Sequence, residues 1–106
     1  MIVVTTNELP GRRIEEALGL VKGSTIRARH LGRDFMAGLK GIVGGEIEEY
    51  TKMIAEAREQ AIDRMIEDAR VLGADAVVCA RFATTEVMRS AAEVVVYGTA
   101  VRSREE

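Results

Sequence analysis

A long amphipathic helix in the second half of the chain constrains the fold more than any other feature of the sequence. Between residues 46 and 72, apolar side chains recur every three or four positions, which places them on one side of a helix. This apolar stripe consists of Ile47, Tyr50, Ile54, Ala57, Ala61, Met65, Ala69 and Leu72. Gly73 is a suitable C-terminal cap, and a helix of this length extends about 40 Å at 1.5 Å per residue. It therefore spans a whole small domain, and its alanines permit close approach to a sheet.

Two strands are predicted before the helix. The first is the β-branched run over residues 2–5, which is closed by a Pro-Gly turn. The second covers residues 13–29, where the side chains alternate with a period of two. Gly19 and Gly23 would each cost about 1 kcal/mol inside a helix, whereas in a strand they suit a bulge, a bend or close approach of another backbone. We therefore expect a long and bent strand, with a split at its glycines as an alternative.

The remaining segments complete the predicted order of elements. A short helix is predicted over residues 34–43, where apolar residues return to helical spacing before Gly44 and Gly45 interrupt it. After the long helix, the pattern predicts a strand over residues 76–83, a polar connection over 84–90 and a last strand over 92–102. The sequence thus predicts one α+β domain over residues 1–106, with its elements in the order β-β-α-α-β-β.

The last predicted strand is largely apolar on both faces. One face carries Ala92, Val94, Val96, Gly98 and Ala100, and the other carries Val95, Tyr97, Thr99 and Val101. A single helix covers only one face of a sheet, so a sheet that is apolar on both faces needs a second cover. Because the 106 residues leave no other predicted element to supply that cover, we predict a homo-oligomer.

Charge and cysteine content argue against several classes of partner and location. The 15 basic and 17 acidic residues give a net charge of −2 and are interleaved, so the chain has no basic patch for nucleic acid. The single cysteine forms no internal disulfide, and the N-terminal residues lack the basic and apolar regions of an export signal. No segment approaches the roughly 20 apolar residues of a membrane span. We therefore expect a cytoplasmic protein that binds neither nucleic acid nor membrane.

Five motifs follow one another along nearly the whole chain. They are GLVKGSTI at 19–26, HLGRDFMAGLKGIVGGEIEEY at 30–50, AREQAIDRM at 57–65, GADAVVCARF at 73–82 and YGTAV at 97–101. These motifs resemble the YbjQ-like family of uncharacterised bacterial and archaeal proteins, which is named for heavy-metal binding. The resemblance implies an α+β subunit with an antiparallel sheet and one long helix, related to the dodecin-like fold. It also implies a ring-shaped homopentamer, and the number five rests on the resemblance alone.

Heavy-metal binding has few candidate ligands in this sequence. Soft metals favour several converging thiolate and imidazole ligands, but the chain has one cysteine, Cys79, one histidine, His30, and five scattered methionines. It contains no CxxC or HxxxH spacing. Cys79 lies in an apolar strand, where a free cysteine is typically a small buried hydrophobe. A symmetric ring could still bring together one His30 or Cys79 from each subunit.

The polar positions of the motifs are the other candidates for a site between subunits. Together with the two glycines before the long helix they are Arg33, Asp34, Gly44, Gly45, Glu46, Tyr50, Arg58 and Arg64. The charged members could line a ligand pocket, or they could form salt bridges that fix the helix on its neighbours. The glycines invite comparison with a phosphate loop, but the GxxxxGK[ST] pattern is absent and three glutamates in the first helical turn would repel an anion. A hinge between the short helix and the long one is the favoured explanation.

No catalytic constellation is visible in the sequence. His30 has neither a nucleophile nor a clear orienting acid near it in sequence, and the carboxylates of the long helix stand at spacings that suit ion pairs with Lys and Arg. We therefore predict a non-enzymatic homo-oligomer, of unknown cofactor, that binds a small ligand or metal ion at intersubunit surfaces. The alternatives are a purely structural ring without a ligand and a weak heavy-metal binder that uses His30 or Cys79.

Overall fold

The computed structural model describes residues 1–28, 44–88 and 91–106 of the chain. The elements in these ranges are β1 (Ile2–Val3), β2 (Arg12–Ala28), α1 (Gly44–Val71), β3 (Ala76–Met88) and β4 (Ala91–Glu105). Their order, β-β-α-β-β, differs from the predicted β-β-α-α-β-β. The short helix of that prediction was assigned to residues 34–43, which lie outside the described ranges, and within those ranges only the long segment with helical spacing is a helix.

The strands form one mixed sheet in the order β1-β3-β4-β2. β4 pairs antiparallel with both β2 and β3, whereas β1 pairs parallel with β3. The fully antiparallel sheet implied by the family resemblance is therefore wrong for this one pair. The reason is the connection between β1 and β2, which carries the chain from one edge of the sheet to the other without reversing its direction.

β3 is longer than the sequence predicts. It continues to Met88, so most of the polar segment expected to connect two strands over residues 84–90 is itself strand. Thr84, Thr85 and Glu86 pair with the first residues of β4. Their polarity indicated a loop, but it reflects the exposed surface of this part of the strand, where β-branched threonines suit the extended backbone.

Helix α1 packs mainly on β2 and β4, and this contact forms the principal core. The buried members are Val21, Ala57, Ala61, Met65, Ala69, Val77, Val94, Val96 and Ala100. The buried helix residues are all members of the stripe predicted from the sequence. The Thr25 hydroxyl donates a hydrogen bond of 3.1 Å to the Ala57 carbonyl oxygen, so the buried polar side chain beneath the helix is satisfied.

The two glycines of β2 have different roles. Gly19 has a φ of +131° and lies at an irregularity in the pairing of β2 with β4, which is the predicted bulge. Gly23 lies beneath α1, where an added Cβ would stand 2.1 Å from the Ala61 carbonyl oxygen and 2.5 Å from the Met65 amide nitrogen. The strand remains continuous over both glycines, so the alternative of a split strand is wrong.

The helix ends in the way the sequence predicts. Gly73 has a φ of +83°, and its N–H donates to the Arg70 carbonyl oxygen at 2.9 Å, while the Ala74 N–H donates to the Ala69 carbonyl oxygen at 3.1 Å. This pair of bonds is the Schellman arrangement, which uses a glycine in the left-handed conformation. In the described part of the chain, no helix is long and apolar enough to cross a membrane.

The second face of the sheet is partly covered by the chain itself. Leu9, in the connection between β1 and β2, is buried together with Ala76, Val78 and Val101. No local sequence pattern indicates this cover, because it consists of a crossing segment rather than a regular element. It reaches only one end of the sheet, and the rest of that face has no cover among the described residues.

Candidate functional site

The uncovered part of the sheet, on the side opposite α1, carries several exposed apolar side chains. Side chains alternate between the two faces of a strand, so residues adjacent to the buried Val21, Thr25 and Val96 point away from the helix. We call this surface the open face, and we define it by Leu20, Lys22, Ile26, Arg81 and Tyr97. Leu20 is 70% exposed, Ile26 65% and Tyr97 40%, so an aliphatic and aromatic surface lies open to solvent.

Two cations flank the aromatic ring of the open face. Lys22 and Arg81 are both cross-strand partners of Tyr97, on β2 and β3 respectively, and both are exposed. Arg81 is held in place because its guanidinium donates to the carbonyl oxygens of Thr5 at 2.8 Å and of Ala80 at 2.9 Å. The centre of the open face therefore combines one planar ring with two positive charges.

Two side chains of α1 cap the outer edge of β2. The Lys22 N–H donates to Asp68 Oδ2 at 3.2 Å, and Arg64 Nη1 donates to the Ser24 carbonyl oxygen at 2.6 Å. Unpaired strand edges invite pairing with other chains, so these contacts occupy backbone groups that would otherwise be open. Arg64, predicted as a ligand-binding residue or a salt-bridge former, donates to a backbone carbonyl oxygen of its own subunit.

The solvent side of α1 carries a row of acidic residues. Glu56, Glu59 and Asp63 are exposed and follow one another at spacings of three and four, which places them on one side of the helix. None of them has an ion pair with another described residue, whereas Glu67 pairs with Arg70 at 3.2 Å. Arg58, a predicted ligand-binding residue, is also exposed on α1.

The other predicted site residues are not brought together by the described structure. Gly44, Gly45, Glu46 and Tyr50 lie in the first two turns of α1, because the helix begins at Gly44 rather than at the predicted residue 46. The two glycines are therefore helical rather than placed before the helix, and the short helix that the predicted hinge would join lies outside the described residues. His30, Arg33 and Asp34 lie outside the described residues.

Cys79 lies at an irregularity of β3 rather than in regular strand. Its φ of +57° falls in the left-handed region, and the pairing of β3 with β4 shifts register between Val78 and Arg81. The Cys79 N–H donates to the Thr6 carbonyl oxygen at 2.9 Å, and its half-buried side chain packs against the Leu9 cluster. Within the described ranges, no three His, Cys, Asp or Glu side chains come together as a metal site.

A polar network that the sequence did not indicate joins three segments at one end of the sheet. Arg12 Nε donates to Ser103 Oγ at 2.9 Å, and the Ser103 hydroxyl and N–H donate to Asp75 Oδ1 at 3.1 and 3.0 Å. An open cavity of about 340 Å³ adjoins Arg12 and is lined by Glu8, Leu9, Pro10, Arg12, Ile14 and Glu106. The Gly-Ala-Asp motif at residues 73–75 contains one member, but its partners are far apart in sequence.

The chain is similar to a family of uncharacterised proteins over nearly its whole length. The YbjQ family model, described as "Putative heavy-metal-binding", matches residues 1–104. A UPF0145 protein of Methanosarcina acetivorans is 57% identical over 102 residues, covering 96% of each chain. A UPF0145 protein of Archaeoglobus fulgidus is 57% identical over 104 residues, covering 98% of this chain and 96% of the relative. These names assign no reaction.

A solved structure has the same fold. It is the crystal structure of a protein of unknown function from Pediococcus pentosaceus that belongs to the DUF74 family. The two structures superpose with a TM-score of 0.66 over 96% of each chain, at 17% sequence identity. At that identity the similarity is one of fold, and it supports the α+β arrangement of one helix on a four-stranded sheet.

Proposed function

The chain belongs to the YbjQ family, and from that premise we propose that it is the subunit of a ring-shaped homopentamer that binds a small ligand or ion between its subunits. The observation that carries self-association is the open face. Leu20 and Ile26 lie there with more than half of their surface in water, and burial of apolar area contributes roughly 25 cal/mol per Å². A second copy of the chain would supply the missing cover, and the number five comes from the family resemblance.

Binding without catalysis is the role that the polar groups support best. The open face offers Lys22 and Arg81 as positive charges and Tyr97 as a planar surface, a combination that suits an anionic or planar ligand. Catalysis would need a group held next to a base or a nucleophile, and the hydrogen bonds of Arg12, Ser103 and Asp75 join donors and acceptors that are already satisfied. We therefore propose a binding protein, with a structural ring as the alternative.

The family description makes metal binding the second candidate. Inside one subunit Cys79 packs among apolar side chains, so a thiolate site would need copies of Cys79 or His30 from several subunits. Calorimetric titration with zinc, copper and nickel, on the wild type and on Cys79→Ser and His30→Ala variants, tests this. A heat signal in the wild type that disappears in either variant would support metal binding. Wild-type heats equal to the buffer blank would contradict it.

Self-association is tested by replacing the most exposed residue of the open face. We expect Leu20→Asp to convert the assembled wild type to monomer at micromolar concentration, because a charge would have to be buried in the interface. Val71→Asp is the matched control, since Val71 is 80% exposed at the far end of α1. Molar mass from light scattering is the measurement, with circular dichroism to confirm folding. A monomeric wild type would refute the proposed assembly.

The ligand itself is tested by native mass spectrometry of protein purified without added metal or cofactor. The proposed function predicts an additional mass that is bound to the assembly and lost in Lys22→Ala or Arg81→Ala variants that still assemble. Assemblies of the bare subunit mass, in both the purified protein and a metabolite-soaked sample, would favour the purely structural ring.

A further inference from the structure

We propose that the interface between subunits is formed head to tail, with the acidic row of α1 in one subunit packed against the open face of the next. This inference rests on the proposed self-association and specifies which surfaces meet. The acidic row consists of Glu56, Glu59 and Asp63, on the side of α1 that points away from its own sheet. The open face lies on the opposite side of the subunit, so the two surfaces cannot meet within one chain.

Charge complementarity identifies the partner surface. The open face presents Lys22 and Arg81 on either side of Tyr97, and neither cation has an ion pair with another described residue. The acidic row presents three carboxylates that also lack a described ion pair. Complementary potentials fix the orientation of partners and suppress wrong contacts. Glu93, the cross-strand partner of Ile26, lies on the same side of the sheet as the open face, and Lys52 lies one turn before Glu56 on α1. The open face still has an excess of positive charge and the acidic row an excess of negative charge, so the two surfaces are complementary.

The same charges argue against pairing of two open faces. A twofold contact centred on Tyr97 would bring Lys22 of one subunit close to Arg81 of the other, and like charges in contact are costly. Edge-to-edge pairing through β2 is also hindered, because Asp68 and Arg64 occupy the edge at Lys22 and Ser24. A contact between the open face and the acidic row of another subunit involves neither like charges nor the capped edge of β2.

Head-to-tail contacts have a consequence for the form of the assembly. Two different surfaces on one subunit generate a closed ring when the rotation between neighbours closes, whereas contacts between identical surfaces stop at a dimer. The proposed contact therefore agrees with a ring of any number of subunits, including an odd one. In such a ring every open face is covered by a helix of the neighbouring subunit, and its two cations offset part of the negative charge of the acidic row.

A charge-swap experiment tests the inference. Lys22→Glu alone, and Glu59→Lys with Asp63→Lys, should each weaken association by about 30-fold or more, because each brings like charges into contact. The triple variant Lys22→Glu, Glu59→Lys, Asp63→Lys restores opposite charges between position 22 and positions 59 and 63, while Arg81 and Glu56 are unchanged, and it should recover assembly of the wild-type mass. The matched control combines Lys22→Glu with Glu8→Lys and Glu105→Lys, which gives the same net charge with both added lysines on other exposed surfaces.

The outcomes separate this inference from the proposed function. Recovery of the wild-type mass in the triple variant but not in the control supports the head-to-tail contact. An assembled wild type whose Lys22→Glu variant stays assembled, or whose triple variant stays dissociated while folded by circular dichroism, overturns the contact and leaves self-association standing. A monomeric wild type instead refutes the proposed function on which it rests.

Discussion

At the scale of the residue, Gly23 allows α1 to lie directly on β2. The atoms that an added side chain would meet are backbone atoms of the helix, namely the Ala61 carbonyl oxygen and the Met65 amide nitrogen. Backbone cannot rotate out of the way as a side chain can, so the whole helix would have to move. The packing of Ala57 and Ala61 on the sheet depends on that distance, because small side chains contribute contacts only at close approach.

We expect Gly23→Ala to lower the free energy of unfolding by on the order of 3 kcal/mol, since overpacking in a core forces shifts of the backbone. Gly11→Ala is the control, because Gly11 has a φ of +83° with no atom within 4 Å of an added Cβ. That control should lose only about 1 kcal/mol from backbone strain. Urea denaturation at one fixed protein concentration measures both. Equal losses in the two variants would contradict the steric explanation.

The sequence identified the special glycines of β2 but could not distinguish their roles. Gly19 and Gly23 lie in the same alternating pattern, and only the position of the helix decides that one is a bulge and the other a contact. Cys79 shows a similar limit of prediction from the local sequence pattern. Its apolar neighbours indicated a buried residue, whereas its left-handed backbone follows from the register between β3 and β4, which no local pattern contains.

At the scale of the element, α1 covers one face of the sheet and also shields the edge of β2 from pairing with other chains. Arg64 and Asp68 lie one turn apart on the side of the helix above the edge of β2, and each binds a backbone group of that edge. Both side chains are exposed, so each contact is worth little in stability. Their larger effect is on association, because a strand with free backbone groups is a template for other chains.

We expect the double variant Arg64→Ala, Asp68→Ala to fold with a loss of about 1 kcal/mol and to aggregate more readily during refolding. Glu67→Ala with Arg70→Ala is the matched control, since it removes the same two kinds of charge from α1, from residues that pair with each other. Light scattering at 350 nm during dilution from urea, on the order of 10 μM protein, compares the two. Similar scattering from both variants would show that the capping contacts do not protect the edge.

At the scale of the whole molecule, the sequence predicted the layers of the fold but not all of its connections. The period of the long helix and the two-faced β4 were enough to predict one helix on a sheet with a second apolar face. The parallel pairing of β1 and the cover supplied by Leu9 depend on a crossing segment without a regular pattern. The network of Arg12, Asp75 and Ser103 was equally hidden, because it joins residues separated by up to 91 positions.

The candidate site, too, could be predicted only where it depends on residues that are close together in the sequence. The alternation of the last strand predicted a second apolar face of the sheet, which led to the expectation of a homo-oligomer. The cations at its centre were not recognised, because Lys22 and Arg81 belong to different strands and become neighbours of Tyr97 only through the register of the sheet. Only Arg58 and Arg64 among the predicted ligand-binding residues have described side chains, and neither lies on the open face.

The balance of charged and apolar contacts across the proposed interface predicts how the assembly responds to salt. The Debye length falls from about 10 Å at 0.1 M to about 3 Å at 1 M, so attraction between Lys22, Arg81 and the acidic row weakens as salt is added. Apolar burial of Leu20 and Ile26 is not weakened in this way. We therefore expect the dissociation constant to rise several-fold between 50 and 500 mM NaCl, as measured by sedimentation velocity. The triple charge-swap variant should also dissociate more readily as salt is added, because position 22 and positions 59 and 63 still carry opposite charges. A dissociation constant that stays constant or falls with salt would mean that the open face is covered through apolar contact alone.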